Sequence, residues 1–177
     1  ASDFTFIFVG NVDVEKMKPV IAEYLGALPA VNRKETFKDN KIEMRQGIYK
    51  NEFTKQQETP KASVFAFYNG DCKYDLRNNL LLSMTSQILD LVYTEKVRED
   101  EGGTYGVYVG GTLQKYPKEK AILQIIFDTA PEKKEKLMKI IFGEIDNITK
   151  TGPSEANLNK VKEYMLKKHT EDLKENS

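Results

Sequence analysis

Apolar residues along the chain follow two alternating kinds of spacing. "FTFIFVG", from Phe4 to Gly10, is rich in aromatic and β-branched residues, which predicts a strand. The apolar residues that follow recur at steps of three and four, which predicts a helix with Asp13 as its N-cap and Gly26 as its stop. The first forty or so residues therefore hold one strand and one amphipathic helix.

The segment from Pro29 to about Met44 is polar and has no periodicity, so we predict that it is a linker. A second series of elements follows it. "QGIYKNEF" and "KASVFAFYNG" are typical of two strands separated by a polar connection. A long helix is then predicted from about Asp75 to Val97, with leucines widening its apolar face. We expect that helix to be buried on more than one side.

The sequence pattern in the last third of the chain predicts a hairpin and two helices. "TYGVYVGGTLQKY" and "KAILQIIFDTA" are strand-like and are joined by a turn that contains Pro117. One helix begins at Pro131 and another near Pro153. Strands and helices are mixed without a regular βαβ order, so we predict an α+β fold in which helices pack on one face of a largely antiparallel sheet.

Composition limits the function classes. The 27 basic residues equal the 27 acidic residues, so no overall field favours nucleic acid, and we expect no nucleic-acid partner. The longest apolar runs are far shorter than the ~20 residues of a membrane span, so we expect no span and a soluble chain. Cys72 has no second cysteine to pair with, and this composition suits cytoplasm and periplasm equally, so the compartment stays open.

The chain has one histidine and one cysteine, the residue types most typical of zinc ligands and of nucleophilic catalysis. His169 is its one histidine, and we expect it on the wet side of the last helix. A catalytic zinc site normally takes three histidine, cysteine or carboxylate ligands, so no metal or cofactor site is predicted in this chain. Cys72 is interpreted as a turn thiol, and the acidic run at 99–101 as a solvated surface.

One stretch of the sequence stands out, "VREDEGGTYG" from Val97 to Gly106. Arg98 offers five donors at the end of a predicted helix, and Tyr105 offers a phenol at the start of a strand. The glycines between them allow a sharp turn, so both side chains can point to one place. An alternative remains, in which Arg98 complements the helix dipole and Tyr105 covers the sheet.

Two longer motifs carry a family resemblance. "FIFVGNVDVEKMKPVIAEYLGALP" and, some seventy residues later, "LLLSMTSQILDLVYTEKVREDEGGTYGVYV" resemble the later segment of M16 zinc metallopeptidases, the pitrilysin and insulysin group. The most specific element is Val-Arg-Glu followed by Gly-x-Tyr, with the arginine and the tyrosine seven residues apart. The similarity extends over nearly the whole chain.

The resemblance implies two similar halves that enclose a peptide chamber and have different roles in catalysis. Zinc is expected in the catalytic half, which binds it through a His-x-x-Glu-His motif that this chain lacks. The opposite half supplies an arginine and a tyrosine that hold substrate carbonyls, and those positions match Arg98 and Tyr105. We therefore expect this segment to be inactive alone and to need a catalytic half, on the same or a partner chain, to hydrolyse peptides.

The resemblance also implies domain boundaries. Residues 1–44 would be the closing strand and helix of a preceding M16-like domain plus a linker, and residues 45–177 most of a second one, truncated at its C-terminus. The first piece would lack most of its own sheet, so we expect Phe4 to Val9 to self-associate or to lie against the second domain. Two other functions remain open: a non-catalytic M16-like structural or partner subunit, and a peptide-binding or assembly domain that uses a sheet edge.

Overall fold

A computed structural model of the chain describes residues 3–99 and 106–175, with the side chains of Arg98 and Glu99 outside that description. The chain divides into two units. One comprises Ala1–Lys41 together with Leu166–Ser177, and the other comprises Ile42–Met165. The assignment of residues 1–44 to a preceding domain stays a prediction.

The first unit contains the predicted amphipathic helix, α1, from Val14 to Tyr24. The Asp13 carboxylate accepts hydrogen bonds from the backbone N–H groups of Glu15 and Lys16, which confirms it as the N-cap. No residue of α1 is buried, although its apolar residues lie on one face. The helix therefore gains little stability from packing among the described residues of the chain.

The strand predicted from Phe4 to Gly10 is absent from the structure, so this prediction was wrong. The described part of the segment has no strand pairing, and its large apolar side chains are exposed, with Ile7 79% and Val9 67% accessible. A strand is stabilised by hydrogen bonds to a neighbour and by cross-strand side-chain pairs. Aromatic and β-branched composition indicates a preference for such a neighbour and does not supply one.

The second unit is built on an antiparallel sheet. Its strands are β1 (Ala62–Asp71), β2 (Val107–Gln114) and β3 (Lys120–Thr129), in the spatial order β1-β3-β2. Phe127 of β3 stands opposite both Val64 and Val107, which fixes the register of the whole sheet. The predicted hairpin, β2 and β3, is confirmed.

Three long helices accompany the sheet. They are α2 (Leu76–Tyr93), α3 (Lys134–Thr151) and α4 (Glu155–Asp172). Asp75 caps α2 by accepting a hydrogen bond from Asn78 N, and a helical turn of the π type, Thr94–Glu99, continues it. A short 3-10 turn, Pro131–Lys133, leads into α3.

The main core lies between one face of the sheet and helices α2 and α3. Alternate residues of all three strands point to this side, because successive side chains of a strand face opposite ways. The buried residues are Leu89, Tyr93, Val97, Ile125, Phe127, Leu137 and Ile141. The other face carries exposed Phe65 and Tyr108, so the predicted α+β fold with helices on one face is confirmed.

Helix α2 is buried on two sides, as its broad apolar surface predicts. Leu89 and Tyr93 belong to the core against the sheet. Ile88 and Val92 form a second cluster with Val161 of α4. Because α2 contacts the sheet, α3 and α4, it is the element that joins the layers of the unit.

The prediction of a strand over "QGIYKNEF" is also wrong. Residues 46–53 have no strand pairing, and the Ile48 side chain is fully exposed. Ion pairs hold the surrounding segment instead: Glu43 pairs with Lys118 and with Lys120, and Glu52 pairs with Lys134 at 2.9 Å. Side-chain charges, which hydropathy patterns do not report, therefore attach this segment to the rest of the unit.

Gly111 of β2 allows α2 to approach the sheet closely. A Cβ atom at this position would lie 2.6 Å from Ser86 Oγ and 2.7 Å from Leu82 Cγ. Both neighbours belong to α2, and Ser86 is fixed by its hydrogen bond to Leu82 O. A side chain at position 111 would push helix and strand apart.

We expect Gly111→Ala to lower the free energy of unfolding by about 1–3 kcal/mol, because an inserted methyl group overpacks this contact. Gly143→Ala is the matched control, since Gly143 lies within α3 and its added Cβ would meet no atom within 4 Å. It should raise stability by up to ~1 kcal/mol through helix propensity. Urea unfolding measures both, and equal effects of the two variants would contradict the close packing of α2 on β2.

The pKa of Glu43 lies below its ordinary value of 4.5, first because of the hydrogen bond from Lys118. The ionised carboxylate therefore stabilises the folded state above pH 4.5, and this contribution is lost as the pH falls through the lowered pKa. We expect Glu43→Gln to be less stable than the wild type at pH 7, with a difference that shrinks below pH 4.5. A difference independent of pH, or matched by Glu163→Gln on α4, would contradict this.

Candidate functional site

The candidate site begins where α2 passes into the turn Thr94–Glu99. Arg98 lies in this turn, so the backbone places it at the end of the helical segment, as predicted. Tyr105 lies outside the described residues, and β2 begins two residues after it, at Val107. The convergence of Arg98 and Tyr105 on one place therefore stays a prediction.

The π-type turn keeps the end of this helix in the core. Leu89, Tyr93 and Val97 are spaced by four residues, and all three are buried in one cluster. Residues four apart drift around an α-helix, which has 3.6 residues per turn. A π-type turn is wider, with bonds between residues five apart, and so returns Val97 to the same side as Tyr93.

Two polar contacts join this end of the helix to α3. The Tyr93 hydroxyl donates a hydrogen bond to the Ile141 carbonyl at 3.0 Å in the buried core. The Lys96 ammonium group donates to the Glu144 carboxylate at 2.6 Å, and the Glu144 side chain is only 16% exposed. The residue just before Arg98, Val97, has no exposed surface. The backbone leading into the candidate site is therefore held by polar and apolar contacts.

Burial keeps Tyr93 in its protonated form. Desolvation is the largest cause that raises the pKa of its phenol well above the ordinary value of 10, and the nearby Tyr68 and Glu144 raise it further. The hydroxyl therefore remains a hydrogen-bond donor to α3 at any physiological pH.

A second surface is the face of the sheet that the helices leave uncovered. Phe65, Ile126 and Tyr108 stand in one row across β1, β3 and β2. Phe65 is 62% exposed and Tyr108 55% exposed. A Cβ at Gly110 would lie 2.6 Å from the Tyr108 hydroxyl, so the glycine leaves room for the phenol to lie along its own strand. This row is able to contact apolar side chains, on a face that also carries Ser63, Gln124 and Asp128.

A polar depression of about 200 Å³ lies at the end of β1 and the start of β3. Its lining residues are Glu43, Gln46, Gly70, Asp71, Lys118 and Lys120. Two ammonium groups pair with Glu43 there, with Lys120 Nζ 3.5 Å from its Oε2. These charges largely neutralise one another, so the depression is best explained as the attachment of the Glu43 segment.

Metal ligands are too few to form a site in the part of the chain whose side chains are described. No group of three or more histidine, cysteine, aspartate or glutamate residues is placed to hold an ion there. His169 is exposed on α4, where we predicted it. Cys72 follows β1 as a partly buried free thiol. The described residues do not fit a zinc centre.

Sequence reasoning missed Lys96 and Glu144. The two lie 48 positions apart and belong to different helices, so no local spacing relates them. The four-residue steps from Leu89 to Tyr93 and Val97 are ordinary α-helical spacing, so they gave no signal of the π-type turn.

The family model described as "Peptidase M16 inactive domain" matches residues 1–165. The match covers well over half of the chain, so the chain belongs to the M16 peptidase family. The region that matches is the family's inactive domain, in agreement with the resemblance seen in the sequence.

Solved structures show the same fold. The periplasmic protease PqqL from Escherichia coli matches over 90% of this chain with a TM-score of 0.72 and 20% identity. The peptidase M16 inactive domain from Pseudomonas fluorescens matches over 63% with a TM-score of 0.54 and 25% identity. A mutant of the ferredoxin protease FusC, in complex with Arabidopsis ferredoxin, matches over 63% with a TM-score of 0.54 and 15% identity.

The chain spans only 18%, 27% and 12% of the lengths of these three structures, in that order. No curated protein matches the sequence. Among the described residues, no helix is long and apolar enough to cross a membrane.

Proposed function

We propose that the chain is the substrate-binding, non-metal part of an M16-like zinc metallopeptidase that hydrolyses peptides in an enclosed chamber. The observation that carries this proposal is the Arg98 and Tyr105 pair in a member of the M16 family, on a joint whose leading helical turn is anchored in the core. The zinc belongs to a catalytic half, on the same or a partner chain. This chain alone is inactive.

The chemistry of the two side chains supports this role. Arg98 presents a cationic fork of N–H donors, and Tyr105 presents a phenolic O–H. Donors placed around a substrate carbonyl stabilise the negative charge that its oxygen gains during peptide hydrolysis, and one such donor is worth on the order of 3 kcal/mol. A fixed backbone favours this effect, because the donors then need no reorganisation during the reaction.

A second candidate function is peptide binding or assembly through the sheet. The observations that favour it are the exposed Phe65 and Tyr108 on either side of the half-buried Ile126, and the outer edge of β1, which has no partner strand among the described residues. An extended peptide can add to such an edge through backbone hydrogen bonds. Binding of that kind would be insensitive to Arg98→Ala. A non-catalytic structural subunit would instead lack peptide turnover in the intact protein.

We expect the intact protein to hydrolyse peptides in a chelator-sensitive way and the 177-residue chain to be inert. Arg98→Ala combined with Tyr105→Phe should lower kcat/KM about a hundredfold or more, because carbonyl donors are lost. Peptide hydrolysis and zinc content are measured together, and the zinc content should not change. A double variant that cleaves as well as the wild type would overturn the site assignment.

We also propose that the isolated chain self-associates through residues 4–9. The support is their exposed apolar surface, which includes Phe4 at 68%. Sedimentation should show a concentration-dependent dimer that Ile7→Asp abolishes, because a carboxylate resists burial. Ile42→Asp is the control, since Ile42 is similarly exposed but lies in the other unit. A monomer at all concentrations would contradict this proposal.

A further inference from the structure

The last residue of α2 and the turn that carries Arg98 are each linked to α3 by one side chain. Tyr93 bonds to the carbonyl of Ile141, and Lys96 bonds to the carboxylate of Glu144. The two links are three residues apart on each side, so they lie about one helical turn apart on both partners. Two contacts separated along the helix axis resist pivoting of one helix on the other, which a single contact permits.

We infer that Lys96 and Glu144 are positioning residues for Arg98, an inference that rests on the proposed function. Lys96 is fixed by its ion pair, Val97 is fixed in the core, and Arg98 is the next residue. Backbone geometry at successive helical residues is tightly coupled, so restraining positions 96 and 97 restrains the backbone at residue 98.

The Lys96–Glu144 pair joins two helices and is shorter and less exposed than the Lys167–Glu171 pair within α4. Its N–O distance is 2.6 Å and the Glu144 side chain is 16% exposed, whereas Lys167 and Glu171 on α4 are 3.9 Å apart and mostly exposed. Exposed pairs are screened by solvent and hold their side chains weakly. The Lys96 side chain is 45% and the Glu144 side chain 16% exposed, so this pair is less screened by solvent and links the turn to α3 more firmly than a fully exposed pair would.

Loss of the pair should affect turnover more than substrate binding. A donor that acts mainly on the developing charge contributes to kcat, and displacement of such a group by about 1 Å can cost up to a hundredfold. We therefore expect Lys96→Met in the intact protein to lower kcat about tenfold, with KM little changed. Lys96→Arg, which keeps a cation opposite Glu144, should retain most of the activity.

The test compares these variants in two backgrounds. If Lys96 acts through Arg98, Lys96→Met lowers kcat in the wild type but has no further effect in Arg98→Ala. The double variant Lys96→Glu with Glu144→Lys, which exchanges the two charges, should regain the activity that each single variant loses. Glu135→Gln is the control, because it removes another α3 carboxylate, which pairs with Lys134 at the start of the helix. It should leave kcat unchanged.

Each outcome decides one question. If Arg98→Ala leaves turnover unchanged, the proposed function fails and no group remains to be positioned. If Arg98→Ala lowers turnover but Lys96→Met does not, the positioning role is overturned and the proposed function stands. If Lys96→Met lowers kcat equally in both backgrounds, the pair acts on general stability and not through Arg98.

Discussion

The burial of α2 on two sides is the constraint on which the rest of the unit depends. One side lies against the sheet through Leu89 and Tyr93, and the other meets α4 through Ile88 and Val92. Gly111 permits the close approach to β2 that the first contact requires. Because α2 is held from both sides, the turn that follows it, with Arg98, begins from a fixed point.

Apolar packing and polar contacts both hold the end of α2 and the turn that follows it. The apolar core joins α2 and α3 to the sheet and continues beyond Tyr93 to Val97. The Lys96–Glu144 pair adds a polar contact between the same turn and α3. In the proposed function, this support carries Arg98 at the start of the glycine-containing segment that also includes Tyr105.

The sequence was sufficient for elements whose partners lie within the chain. The hairpin of β2 and β3 and the helices α2 and α3 were predicted because each has an apolar face that another element of this chain covers. "FTFIFVG" and "QGIYKNEF" were predicted as strands and are not, because strand composition indicates a need for a neighbour that the described residues do not provide. For the site, the local motif and the family resemblance together singled out Arg98, which stays a prediction, whereas Glu144 depends on packing between distant helices and left no local signal.

The measurement that tests the central claim most directly is photo-crosslinking of a bound peptide in the intact protein. p-Benzoylphenylalanine would replace Tyr105 in one sample and Tyr116, near the far end of the β2–β3 hairpin, in another. The account predicts a peptide adduct at position 105 and none at position 116. Cleavage of the peptide without any adduct at position 105, or equal adducts at both positions, would contradict the claim that this joint contacts the substrate.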